Sequence, residues 1–157
     1  MSEGAGALYL KAAAENTAPV RLATITDPQP FVRGATRLQS IQAVRDELPP
    51  CCPKYLLCDS TQNIPTMDAA ERAAWRDWTE DRLSPKSILG EGLAASSAWQ
   101  CAVALDALAQ GDYAAVNVSV VGCNQQAIGA HFIKGPGLTK HVPGESNAVN
   151  LAAPLRH

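Results

Sequence analysis

The sequence predicts an α/β or α+β fold, a small mixed sheet of about four strands carrying two to three packed helices. Segments of period two alternate along the chain with segments of helical period, the pattern of a layered sheet-and-helix domain. A polar connection joins the last two strand-like segments, so the sheet is expected to end in an antiparallel hairpin. At 157 residues the chain has the length of one domain and enough residues to bury a core. That domain is placed over residues 18–134, between an N-terminal arm over 1–17 and an extended C-terminal arm over 135–157.

Residues 1–16 are rich in Gly and Ala, and a helix over 8–15 would be too short to hold without packing. Residues 20–25 read as the first strand, closed by Asp27, Pro28, Gln29 and Pro30. Residues 36–48 place Leu38, Ile41, Val44 and Leu48 at helical spacing until Pro49 and Pro50 stop the helix. A short apolar strand follows over 54–59, suited to an interior position. Asp68 and Glu71 have capping-box spacing at the head of a helix expected to reach Leu83. Met67, Ala70, Ala74, Trp75 and Trp78 form its apolar stripe, which makes the two tryptophans core residues before partner anchors. Ser84 and Pro85 start a further turn that Gly90 and Gly92 interrupt, and the longest helix spans 93–110. Its stripe is read as Ala94, Ala98, Cys101, Leu105 and Leu108.

The closing hairpin is the clearest element. Val116, Val118 and Val120 share one face, opposite Ala115, Asn117 and Ser119. Residues 122–126 break the alternation, which resumes with Ile128, Ala130 and Phe132 against Gly129 and His131. The valine face is the expected core face, and Asn117, Ser119 and His131 are expected to meet water, a ligand or another chain.

Composition excludes several functions. A net charge of −2 offers no electrostatic case for nucleic acid or an anionic membrane. No apolar run approaches the roughly 20 residues of a membrane-spanning helix. Met1 to Ala7 lack the layout of a signal peptide, so the expected place is the cytoplasm at synthesis and, for an assembly subunit, a viral particle. No cofactor is indicated: Gly90-Glu91-Gly92 lacks the Lys-Ser/Thr that a phosphate loop requires. Nor is a metal indicated, because Cys51, Cys52 and Cys58 do not have zinc-site spacing and no histidine lies near them.

The five cysteines, an odd number, leave at least one thiol free or available to another chain. Adjacent cysteines bond poorly to each other, so Cys51, Cys52 and Cys123 are the candidates for an intermolecular disulfide. From Gly135 onward neither period survives, and Leu138, Val142, Val149, Leu151 and Leu155 stand as apolar pegs for a partner. The leading expectation is therefore a non-enzymatic assembly subunit, such as a virion (phage particle) component, docked on other protein subunits through its arms. The alternative is a small cysteine-dependent enzyme or ligand-binding domain with Cys58, Asp59 and His131 at the end of the second strand.

Overall fold

The computed structural model describes residues 5–8, 12, 18–32, 34–110 and 113–135. Within them the order is β1 (Val20–Ile25), β2 (Gln29–Pro30), α1 (Arg37–Glu47), β3 (Tyr55–Cys58) and α2 (Pro65–Ala74). Then come β4 (Arg82–Leu83), α3 (Pro85–Leu89), α4 (Ala94–Gln110), β5 (Ala115–Val121) and β6 (Gln126–Lys134). The mixed α/β class holds. The sheet has six strands where about four were expected, because β2 and β4, two residues each, join it at its margins.

The strand order is β1-β6-β5-β3-β4, with β2 also on β6. β6 is antiparallel to β1, β2 and β5, while β3 is parallel to β5 and β4. One strand therefore runs against the others, and the carboxyl ends of β3, β4 and β5 gather at one edge. Helices cover both faces. On one, Ile41, Val44 and Leu48 of α1 and Ala74 with Trp75 at the end of α2 pack on Leu57, Val121 and Ala127. On the other, Ala104 and Leu108 of α4 meet Leu56, Cys58, Val116, Val118 and Phe132.

The hairpin register is as the alternation required, with Val116 opposite Phe132 and Asn117 opposite His131. Its face pattern needs correcting. Asn117, Ser119 and His131 are buried under α1 and the end of α2. His131 Nδ1 lies 2.7 Å from Asn117 Oδ1, Asn117 Nδ2 donates to the Pro49 carbonyl, and Trp75 Nε1 donates to Ser119 Oγ. The mixed face is a second core face whose polar groups are mutually satisfied.

Gly129, on that same face, lies directly beneath α1. A Cβ there would stand 2.8 Å from both Leu48 Cδ1 and Val44 Cγ1, inside van der Waals contact.

The helix after β3 also differs from its sequence reading. It starts at Pro65, so Asp68 and Glu71 lie inside it and form no capping box. It ends at Ala74, nine residues short of Leu83, because β3 has a free edge to pair. Leu57 N–H donates to the Asp81 carbonyl and Asp59 N–H to the Leu83 carbonyl, drawing 81–83 into the sheet. Arg82 donates to the Trp75 and Trp78 carbonyls beyond the helix end, which fixes the turn. In α4 the buried stripe is Ser96, Gln100, Ala104 and Leu108, displaced from the expected stripe and sharing only Leu108 with it.

Candidate functional site

In open α/β sheets, ligands and reactive groups sit outside the carboxyl ends of the strands. That edge here holds most of the buried polar residues: Asp59, Ser60, Thr61, Lys86, Ser96, Gln100 and Ser119. Their positions follow from local structure. β3 ends at Cys58, so Asp59 and Ser60 emerge at the strand tip. Ser96 and Gln100 sit one turn apart on the inward side of α4.

The network is closed on itself. Ser60 Oγ donates to the Ser119 carbonyl and accepts from Val121 N–H, both at 2.8 Å. Gln100 Nε2 donates to the Asp59 and Ser119 carbonyls, both at 2.9 Å. Asp59 Oδ1 accepts from Thr61 N–H and from Ser84 Oγ. Lys86, 1% exposed, donates to Glu91 Oε2 and to the Val121 carbonyl, both at 3.0 Å. Burial raises the Glu91 carboxyl, but hydrogen bonds from Ser96 and Lys86 outweigh it and hold the group below its ordinary range. At this edge the strand ends are plugged by side chains that already have partners.

The expected alternative site is not assembled. Cys58 points under α4, fully buried, and its S–H donates to the Gln100 carbonyl. Burial first, and then the charge of Asp59, push its thiol far above the ordinary range. His131 lies on the opposite face with its ring 5.7 Å from that of Tyr55, and burial lowers its pKa. Asp59 is the one member of the set at the strand tip, and it orients Ser84 and the 59–61 turn. No thiolate–imidazole pair can form from these positions.

Among the cross-link candidates, Cys51 and Cys52 are half-buried, Cys123 is exposed, and none of the five cysteines is bonded to another. The apolar pegs Leu138, Val142, Val149, Leu151 and Leu155 lie outside the described residues, as do most of both arms. Among the described residues no helix is long and apolar enough to cross a membrane.

The sequence reading missed Lys86, Gln100 and Glu71 as members of a site. A signal for Glu71 existed. Asp68, Glu71, Trp75 and Trp78 recur at spacings of three and four, which puts both carboxylates on the face of the tryptophans. Glu71 is buried beside Ser60 N–H, and burial first, against the hydrogen bond of Ser119, pushes its carboxyl up to about 7.

Beside the plug lies an open cavity of about 620 Å³, bounded by the start of α1, one side of α2 and the β5–β6 connection. Among the described residues, Arg37 is the one charged residue of its lining.

No protein-family model matches the chain, and no curated protein matches it in sequence. In fold it is similar to a chain of a solved complex, AntDE:AntF (apo), described as a type II PKS acyl-carrier protein with its ketosynthase bound to the hexaketide. The TM-score is 0.55 at 8% identity, over 72% of this chain and 32% of that one. The likeness is one of fold, and this chain spans about a third of its neighbour's length.

Proposed function

We propose that this chain is a non-catalytic subunit that acts by binding other proteins. One observation carries the reading: the edge where a sheet of this kind presents reactive groups is filled by partnered side chains. A nucleophile needs a free lone pair beside a base, and neither Cys58 nor Ser60 has one there. The same end of the molecule exposes apolar side chains. Leu83, Ile88 and Leu89 line a groove with Pro85 and Val103, and Ile88 is 86% exposed. Exposed apolar residues gathered around one groove are a docking surface in search of a cover.

The fold neighbour suggests the class of partner to try first, namely proteins of acyl-carrier-dependent synthesis. Cross-linking through Cys51, Cys52 or Cys123 and docking through the arms extend the same reading, as would a virion in place of a synthase. The test mixes the purified chain with an acyl-carrier protein and with a ketosynthase, separately and together. Co-elution on size exclusion and thioester turnover are followed in parallel. Binding that Ile88→Glu weakens about tenfold, with no turnover by the chain alone, is the expected result. Turnover that disappears in Cys58→Ala at unchanged stability would return the chain to the enzymes.

A further inference from the structure

The cavity beside the plug has a chemistry of its own. It opens where ligands of α/β folds gather, yet the closed network leaves it free. Its volume of about 620 Å³ falls within the roughly 300–1,000 Å³ of small-molecule sites. The walls are mostly small and apolar, with Phe31, Leu38, Met67, Ala70 and Ala73 among them. Among the described residues no carboxylate lines it.

Arg37 is the exception in that lining. Its guanidinium carbon lies 5.4 Å from the centre of the Phe31 ring. Its Nε is buried without a hydrogen-bond partner, and among the described residues the guanidinium makes no ion pair. Glu71 is near enough for Arg37 to stabilise its charge, but the two do not pair, and Glu71 Oε2 is likewise left without a partner. The side chain is half-buried, so only its Nε edge is shut away, and the positive charge that it brings to the cavity suits an anion.

We propose that this cavity binds a small organic anion with an apolar tail, its carboxylate on Arg37 and its tail along α2. Arginine offers parallel N–H donors matched to a carboxylate. A single guanidinium suits a single negative charge and not a polyphosphate. Tail contacts fall to the methyl groups of Ala70 and Ala73 and to Leu38, while Cys123 stands in the wall as a reporter.

Octanoate is the probe, titrated into the full chain by calorimetry, with octylamine and octan-1-ol as controls. Alkylation of Cys123, Cys51 and Cys52 by iodoacetamide is mapped alongside by mass spectrometry. Octanoate is expected to bind saturably and to slow alkylation of Cys123 alone. Arg37→Met should weaken binding about tenfold or more, the scale of a lost charge-assisted hydrogen bond. Ala70→Phe, which retains Arg37 and fills the cavity, should abolish both binding and protection while the circular dichroism spectrum stays unchanged. Equal binding of octylamine or octan-1-ol, undiminished octanoate binding in either folded variant, or no protection of Cys123 would each overturn the proposal.

Discussion

The two faces of the sheet are built on different terms. Under α4, Leu56, Val116, Val118, Leu108 and Phe132 pack as an apolar layer. Under α1 and α2, the layer holds Trp75, Leu57 and Val121 but also Asn117, Ser119, His131 and Glu71. The first face is held by transfer of apolar surface, which is non-directional and tolerates repacking. The second adds hydrogen bonds that work in one register only, so it specifies the hairpin alignment as well as stabilising it.

Core truncation should break the two faces by similar amounts for different reasons. Trp75→Ala is expected to cost about 4 kcal/mol, from its cavity and from freeing Ser119 Oγ, and Leu108→Ala about 3 kcal/mol from its cavity alone. Urea denaturation measures both, and Trp75→Phe should recover most of the first loss but not all. Lys86→Met sharpens the contrast at the edge between the faces. It leaves Glu91 and the Val121 carbonyl without their cation, at a cost of about 3 kcal/mol, although methionine fills the space. A loss under about 1 kcal/mol would mean that the plug is held by packing.

Titration probes the second face further. The folded Glu71 carboxyl sits at about 7 against an ordinary 4.5, so between those values the native chain binds the proton that the unfolded chain has released. Stability attributable to Glu71 is therefore full below pH 4.5 and falls by about 3 kcal/mol as pH rises to 7. Glu71→Gln should flatten this slope. His131 works the other way: its lowered pKa means that its contribution is lost as pH falls below its ordinary 6.5. Denaturation midpoints of wild type, Glu71→Gln and His131→Gln between pH 4.5 and 8 resolve the two. The smallest effect is reserved for Asn117→Ala, about 2 kcal/mol for stranding the Pro49 carbonyl and His131.

Much of this fold was legible in the sequence. The limits of β1, α1, β3 and the hairpin are set by residues whose period or ring chemistry acts locally, such as the alternating valines and Pro49-Pro50. What escaped depends on long-range pairing. Nothing within 75–83 announces a strand, since Arg82 and Leu83 become one only because Leu57 and Asp59 present a free edge. A sheet covered on both sides also defeats the inference that polar alternation means solvent. The plug was harder still, because Lys86, Ser60 and Gln100 are distant in sequence and converge on backbone groups of β5. Asp59 was found for its place at a strand tip, and Cys58 and His131 were assigned to one site although they face opposite layers.

Gly129 carries a mechanical consequence. Val44 and Leu48 rest on its bare backbone toward one end of α1, while Arg37 sits at the other, about 10 Å from Val44 and about 16 Å from Leu48 along the axis. A methyl group at 129 would act as a shim under one end of a stiff rod and tilt the rod. Gly129→Ala should therefore alter octanoate affinity at a cavity that residue 129 does not touch. Evolution could tune such a pocket from beneath the sheet, leaving every wall residue in place.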